Sequence, residues 1–131
     1  MSEKDYLKDL SDADRALFAE GERLYSKKKF KKSVQKFEQI SAKNVLICCT
    51  LAALYESQFK AYDQAEKYYL MAAEKGHVGA MNNLAVLYKN HFRRYSKAEK
   101  YYLMAFKNGY VGALFNLAWL YDEAGEKEKS R

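Results

Sequence analysis

Hydrophobic residues recur at helical spacing along most of this chain. In AEKYYLMAAEK the apolar positions fall at i, i+3, i+4, i+7 and i+8, which puts on one helix face Ala65, Tyr68, Tyr69, Ala72 and Ala73. The segment VGAMNNLAVLYKN carries a similar stripe of Ala80, Leu84, Leu87 and Tyr88. The sequence contains no proline that would break these helices. The pattern therefore predicts amphipathic helices and no strands.

Seven helices are predicted from these stripes and from the polar segments between them. Their approximate bounds are residues 10–26, 30–42, 45–58, 61–75, 78–90, 95–108 and 111–124. Gly76 and Gly109 directly follow two of the stripes, where a glycine commonly closes a helix in the left-handed conformation. We therefore expect both glycines to be helix C-caps.

Part of this pattern is an internal repeat. Residues 65–88 and 98–121 are identical at 17 of 24 positions without a gap, at a period of 33 residues. Weaker copies exist, since CCTLAALY at 48–55 aligns with MNNLAVLY at 81–88 and LFNLAWLY at 114–121. A period of about 20 to 50 residues is typical of a solenoid, in which small residues let stacked helices approach closely. The candidates for such close approaches are Gly21, Ala52, Ala85 and Ala118.

The internal repeats resemble two related families of helical repeats. The later copies resemble the Sel1-like repeat through Ala80, Leu84, Ala85, Tyr88, Lys97, Ala98, Tyr102, Ala105 and Gly109. The first hairpin is similar to the tetratricopeptide repeat through Leu17, Gly21, Leu24, Ser33 and Phe37. The turns FKAYDQ and NHFRRYSK lack the glycines common in Sel1-like turns, and Phe106 replaces the second alanine of the Sel1-like pair.

The resemblance implies an all-α fold, namely an α-solenoid of about three and a half antiparallel helix hairpins. It implies one domain over residues 1–131, with repeats at about 14–44, 45–77 and 78–110 and a partial repeat at 111–124. The partial repeat gives one helix and a turn, followed by EKEKS where a second helix would begin. Two interpretations of its Phe115 and Trp119 stay open. They either belong to a binding groove or are core residues that face a further helix.

Charge and composition narrow the class of protein. The net charge is +6, but residues 1–26 hold seven acidic and four basic side chains, a local −3. The acidic start lacks the features of a signal peptide, and no apolar run approaches about 18 residues. We therefore expect a cytoplasmic protein without a membrane span. The adjacent Cys48 and Cys49 are interpreted as buried, reduced thiols.

No convergent set of reactive side chains is visible in the sequence. His77 and His91 fall in different turns, and there is no phosphate-binding loop, metalloprotease motif or nucleophile elbow. We therefore predict a protein that is not an enzyme, with no catalytic residue, no cofactor and no metal site.

A binding groove follows from the resemblance, which implies that the first helix of each hairpin lines the concave face. The implied groove residues are Arg15, Phe18, Glu22, Tyr25, Asn82, Val86, Lys89, Phe115, Trp119 and Asp122, with Cys49, Ala53 and Glu56 from the second hairpin. Aromatic side chains at the ends of such a groove suit a peptide or a partner helix. A Lys/Asn/Arg carboxylate clamp of the tetratricopeptide type is disfavoured, because only Asn82 fits it.

A second candidate surface is basic. The turns inside the hairpins carry a predicted basic edge of Lys27, Lys28, Lys29, Lys31, Lys32, Arg93, Arg94 and Lys97. Such charge, interleaved with Phe30, Phe92 and Tyr95, suits an acidic protein or a nucleic acid. Solvated lysines and packed turn aromatics are the ordinary alternative. We favour a non-enzymatic adaptor that binds a protein or peptide, over nucleic-acid binding and over a structural segment of a longer array. The oligomeric state is left open.

Overall fold

A computed structural model describes the backbone of residues 2–129 and the side chains of residues 2–125. Within these residues every regular element is helical. The eight α-helices are α1 (Glu3–Lys8), α2 (Asp12–Ser26), α3 (Phe30–Gln39), α4 (Val45–Ser57), α5 (Tyr62–Glu74), α6 (Val78–Leu87), α7 (Tyr95–Lys107) and α8 (Ala113–Lys129). One π-helical turn, Tyr88–Phe92, follows α6 directly.

The prediction of seven helices missed α1. This short helix begins with a capping box, in which the Ser2 backbone N–H and hydroxyl both donate to the Asp5 carboxylate at 3.0 Å. The sequence pattern gave no apolar stripe there, because α1 has no buried residue. The cap that starts this helix was therefore the only sequence signal for it.

Two predicted helix ends were also wrong. α3 ends at Gln39 instead of residue 42, because the chain becomes extended at Ile40 and buries that side chain completely. α8 was expected to end near residue 124 in a turn, yet it continues to Lys129 through Gly125. The Glu and Lys residues that follow Gly125 are good helix formers, which offsets the cost of one glycine. Ser130 and Arg131 lie outside the described residues.

The hairpin turns combine expected and unexpected left-handed residues. Gly76 and Gly109 have φ of 89° and 105°, as predicted for C-caps. Lys28, Lys60 and Arg93 have φ of 61°, 52° and 54°, in the three turns that join the helices of each hairpin. Glycine adopts this conformation at no steric cost, whereas a lysine or arginine there is strained. These turns therefore adopt the left-handed conformation even though they lack the glycines that are common in Sel1-like turns.

The helices divide into two compact units, with the boundary inside α5 between Met71 and Ala72. In the first unit, α2 and α3 pack through the predicted close approach. The Ser33 hydroxyl donates to the Gly21 carbonyl at 2.7 Å, and the Phe37 ring lies where a Gly21 Cβ would be, only 2.5 Å away. The absence of a side chain at Gly21 is thus what lets the two helices meet.

A carboxylate joins three helices of the first unit. Glu38 of α3 accepts hydrogen bonds from the hydroxyls of Tyr55 and Tyr68, at 2.9 and 2.7 Å. The rings of Tyr55 and Tyr68 are parallel, with centroids 6.0 Å apart. Burial and the bonds to Glu38 raise the pKa of Tyr55 to about 12. These contacts fix α4 and the first part of α5 against α3.

The N-terminal helix is held by the cap of α4. Asn44 accepts a hydrogen bond from the Ile47 backbone N–H at 3.1 Å, which caps α4. Its amide donates to the Tyr6 carbonyl, also at 3.1 Å, and Leu10 is buried behind α1 at 3% exposure. One side chain therefore both starts α4 and positions α1.

In the second unit, α6, α7 and α8 pack around the alanines and tyrosines of the repeat. Ala98, Tyr102 and Ala105 of α7 are buried, and the Tyr101 ring stacks on Tyr88 at 5.8 Å. His77 caps α6 by accepting the Ala80 backbone N–H at its Nδ1, 2.9 Å away. The duplicated AEKYYLMA segment is thus mainly a packing stripe.

Candidate functional site

An open cleft lies between α2 and α4 in the first unit. Its volume is about 460 Å³ and its lining is mostly apolar. The lining comprises Phe18, Glu22, Tyr25 and Ser26 of α2, Leu46, Thr50, Ala53, Leu54 and Ser57 of α4, Phe37 of α3 and Glu3 of α1. We call this site the α2–α4 cleft. Phe18, Glu22 and Tyr25, three of the four residues predicted on this helix, therefore share one cavity.

The cleft has a buried floor and an exposed rim. Phe18, Phe37 and Leu54 form the floor, with exposures of 4%, 2% and 4%. Tyr25 stands at the rim, 48% exposed, and its ring meets Phe30 edge-on at 5.3 Å. Arg15, the fourth predicted residue, lies outside the lining, and its guanidinium pairs with Asp12. The aromatic floor is therefore structural, and the rim is what a ligand would contact first.

The face that α4 turns to the cleft differs from the predicted one. Of Cys49, Ala53 and Glu56, only Ala53 lines the cavity. Glu56 instead accepts the Tyr69 hydroxyl at 2.7 Å, and burial raises the pKa of the Cys49 thiol to about 11. The lining residues Leu46, Thr50, Ala53 and Ser57 are spaced by four, three and four positions, which is itself a helical stripe. That spacing was the available signal, and the alignment to a repeat family obscured it.

Two carboxylates, Glu3 and Glu22, belong to the cleft. Partial burial is the main cause that raises the pKa of Glu22 above its usual 4.5, and the nearby charge of Glu3 adds to it. Glu3 was not predicted as a site residue, because its position depends on a tertiary hydrogen bond, from the Asn44 amide to the Tyr6 carbonyl. The cleft is therefore acidic as well as apolar.

In the second unit, the predicted groove residues on α6 and on the π-helical turn are partly buried. They are Asn82 and Val86 of α6 and Lys89 of the turn. The Asn116 amide of α8 donates to the Asn82 carbonyl oxygen at 3.0 Å, so the two helices are linked on this side.

The predicted residues of α8 are exposed. Phe115 and Trp119 have exposures of 73% and 69%, and Asp122 is also exposed. In this structure neither aromatic ring is therefore a core residue of the described chain. Exposed rings of this size in neighbouring turns of one helix form a candidate contact surface.

The repeat register separates the packing face of α8 from the face of Phe115 and Trp119. Met81 and Ala85 of α6 and Tyr88 of the π-helical turn are all buried, and the Tyr88 ring stacks on Tyr101 of α7. The equivalent residues of α8, 33 positions later, are Leu114, Ala118 and Tyr121, and all three are exposed. Phe115 and Trp119 are instead equivalent to Asn82 and Val86. The face on which a following helix would pack is thus that of Leu114, Ala118 and Tyr121, beside the face with the two large rings.

The predicted basic edge is divided between the two units. Lys27, Lys28, Lys29, Lys31 and Lys32 are exposed around the first turn. In the second unit Arg93 is exposed, the Arg94 guanidinium lies over the Phe92 ring at 5.4 Å, and the Lys97 ammonium lies over the Tyr88 ring at 5.4 Å. Phe92 itself packs on Tyr88 at 5.9 Å. The cations of both turns are thus exposed, and two of those in the second unit also lie over aromatic rings.

No group of three or more His, Cys, Asp or Glu side chains among the described residues is placed to hold a metal ion. None of the helices between residues 2 and 129 is long and apolar enough to cross a membrane.

Comparison with known proteins identifies the fold. Neither a protein-family model nor a curated protein matches the sequence. Solved structures do match. The first tetratricopeptide repeat (TPR) domain of Spaghetti (RPAP3), bound to the HSP90 peptide SRMEEVD, has a TM-score of 0.71 at 14% identity, over 88% of this chain and 95% of that one.

Two further TPR domains are similar to the same extent. The Sgt2 domain from Aspergillus fumigatus has a TM-score of 0.70 at 16% identity, over 92% of this chain and 84% of that one. The Arabidopsis OM64 domain has a TM-score of 0.69 at 19% identity, over 86% of this chain and 97% of that one. Identities this low establish the fold alone. The chain has a TPR-like repeat fold, and the predicted class, an all-α solenoid of helix hairpins, is confirmed.

Proposed function

We propose that this chain is a non-enzymatic interaction module that binds a peptide or a partner helix. The binding faces are those of the first helices of its hairpins, α2 with α4 in the first unit and α6 with α8 in the second. The observation that carries the proposal is the exposure of Phe115 and Trp119, at 73% and 69%, in register with the predicted groove residues of α6. Aromatic side chains are over-represented among residues that dominate binding energy.

The fold supports this class of function. Helical-repeat proteins present extended faces to partners, and a peptide or helix can lie along such a face with side chains at helical or alternate spacing. One of the similar structures is a complex with the peptide SRMEEVD, which has three acidic side chains. At the positions implied for a carboxylate clamp this chain has Phe18, Glu22, Cys49, Ala53, Asn82 and Val86. None of these is cationic, so we do not propose an acidic C-terminus as the ligand.

The test is a selection of peptides from a displayed random library with the purified full chain. Enriched peptides are synthesised, and their affinities are measured by calorimetry for the wild type and for Phe115→Ala and Trp119→Ala. We expect each substitution to weaken a peptide that binds on α8 by about thirtyfold, the lower bound for a hot spot. Because both rings are exposed, melting should be unchanged.

Val111→Ala is the matched control, since Val111 is 64% exposed in the same unit but precedes α8. It should leave affinity unchanged. The proposal fails if the library yields no peptide that binds in solution. The assignment of α8 fails if every selected peptide is insensitive to Phe115→Ala and Trp119→Ala.

A second candidate function is binding of an anionic partner at the first turn. It is favoured by the five exposed lysines at 27, 28, 29, 31 and 32, with Lys28 held in a strained left-handed conformation where glycine would be easier. A titration with single-stranded DNA at low and high salt tests it. Binding that weakens steeply with salt supports it, and no binding at low salt removes it.

A further inference from the structure

We propose that the α2–α4 cleft binds a cationic peptide segment, with an apolar side chain of that segment in the cavity and a lysine or arginine beside it on Glu22 and Glu3. This inference rests on the proposed function, because it names the chemistry of a ligand for one of the two binding faces. It commits to a partner whose charge is opposite to that of SRMEEVD.

The apolar part of the ligand follows from the cavity. The floor of the cleft consists of Phe18, Phe37 and Leu54, whose side chains are almost completely buried. Above them the cleft is open and has a volume of about 460 Å³. This volume lies within the range of about 300–1,000 Å³ that ligand sites have. An apolar side chain placed there would leave water and gain the free energy of burying apolar area.

The polar part of the ligand follows from which polar groups remain available. Each lining hydroxyl group of a serine or threonine already donates within its own helix. The bonds are Ser26 to Arg23 at 2.8 Å, Thr50 to Leu46 at 2.8 Å and Ser57 to Ala53 at 2.7 Å, with a backbone carbonyl as the acceptor each time. The carboxylates of Glu3 and Glu22 are therefore the main groups left for a ligand, and ionised carboxylates only accept hydrogen bonds.

A cation also resolves an electrostatic conflict in the cleft. In the described part of the chain no hydrogen bond or ion pair reaches the Glu22 carboxylate, although arginines pair with Asp12 and Glu20 on the same helix. The negative charge of Glu3 acts on Glu22, and the cleft lining has no lysine or arginine. A ligand ammonium or guanidinium between the two carboxylates would replace this repulsion by attraction.

The charge around the cleft is unevenly distributed. Residues 1–26, which supply Glu3, Phe18 and Glu22, have a local charge of −3. Lys27, Lys28 and Lys29 follow directly after the lining residue Ser26, but none of them lines the cleft. The charged side chains of the lining itself are therefore the two carboxylates.

Three synthetic peptides test the inference against the full chain. The lysine peptide has one phenylalanine and one leucine flanked by lysines. The glutamate peptide replaces those lysines by glutamate, and the serine peptide keeps the lysines but replaces phenylalanine and leucine by serine. We expect only the lysine peptide to bind in calorimetry. Glu22→Gln and Glu3→Gln should each weaken it about fivefold, the upper range for one partly exposed charge pair.

Glu20→Gln is the matched control. Glu20 lies on α2 as well, but outside the cleft lining, and it accepts a hydrogen bond from Arg23 at 2.9 Å. It should leave the affinity for the lysine peptide unchanged. Melting curves of the Glu22→Gln and Glu3→Gln variants should match the wild type, so that a loss of binding is not a loss of fold.

A pH titration gives an independent readout. The titratable groups that line the cleft are Glu3 from α1 and Glu22 and Tyr25 from α2, while α3 and α4 contribute none. Because the pKa of Glu22 is raised above 4.5, protonation there should weaken the lysine peptide as the pH falls from neutral toward that range. The Glu22→Gln variant should lose this part of the pH dependence.

Other outcomes overturn the inference in distinguishable ways. Equal binding of the glutamate or serine peptide contradicts the stated ligand chemistry. Binding of the lysine peptide that Glu22→Gln and Glu3→Gln leave unchanged contradicts the location. A dimer of the chain that Glu22→Gln dissociates would assign the cleft to a second copy. If library peptides bind on α8 but the lysine peptide does not bind, this inference fails while the proposed function stands.

Discussion

At the scale of single residues, the close approach of α2 and α3 depends on the absence of a side chain at Gly21. The Phe37 ring occupies the space beside Gly21, at 2.5 Å from where a Cβ would lie. Gly125 of α8 is the opposite case, because nothing lies within 4 Å of its Cβ position. The same substitution should therefore have opposite effects at the two glycines.

Gly21→Ala is expected to destabilise the protein by about 1–3 kcal/mol, the usual cost of overpacking a rigid contact. Gly125→Ala should stabilise it by about 0.5–1 kcal/mol, because alanine is the better helix former. Urea unfolding followed by circular dichroism measures both. A neutral Gly21→Ala variant would show that α2 and α3 separate at little cost.

Residue-level reasoning from the sequence located part of the candidate site. Gly21, Ser33 and Phe37 were predicted to meet because small residues at repeat positions have few other reasons to recur. Phe18 and Tyr25 were expected on a groove because of their positions in the first helix of the repeat. Of the residues predicted on α4 only Ala53 lines the cleft, because shifting a helix assignment by one residue rotates it by about 100°. Glu3 could not be predicted, since its position depends on the tertiary bond from Asn44 to Tyr6.

At the scale of elements, α6 and α8 show how similar sequences acquire different environments. Met81 of α6 is 3% exposed, whereas the equivalent Leu114 of α8 is 46% exposed. The repeat predicted the existence of both helices, although not their ends, because local spacing determines a helix. It could not predict their burial, because burial depends on whether another helix packs on the same face.

The pair gives a matched prediction. Met81→Ala should cost about 2–5 kcal/mol, as for large-to-small changes in a core, and Leu114→Ala should cost about 0.5 kcal/mol or less. Chemical denaturation of the two variants measures the difference. If Leu114→Ala costs as much as Met81→Ala, a second molecule covers that face in solution, and the loss should then depend on protein concentration.

At the scale of the whole molecule, tyrosines that are buried or partly buried should set the alkaline limit of stability. Burial raises the pKa of both Tyr55 and Tyr102 to about 12, with the bonds to Glu38 as a further cause for Tyr55. A group whose pKa is raised in the folded state keeps its proton up to a higher pH there than in the unfolded chain. Its contribution to stability is therefore complete below the ordinary pKa of 10 and is lost as the pH rises toward about 12.

We expect the helical signal to collapse between pH 10 and about 12, together with a cooperative step in tyrosinate absorbance. Tyr55→Phe removes one of these phenols and should shift the collapse to higher pH. The stability of this variant at neutral pH is measured alongside for comparison. Tyr25→Phe, at an exposed position, is the control. A gradual absorbance change with intact helicity would contradict the prediction.

The exposure of Trp119 has a consequence for how the protein can be studied. It is the only tryptophan in the sequence, and it is 69% exposed on α8. Its fluorescence should therefore have the red-shifted emission of a solvated indole and be quenched readily by acrylamide. A ligand that covers α8 would shift the emission to the blue and protect the ring from acrylamide. The native chain thus carries its own label for occupancy of α8.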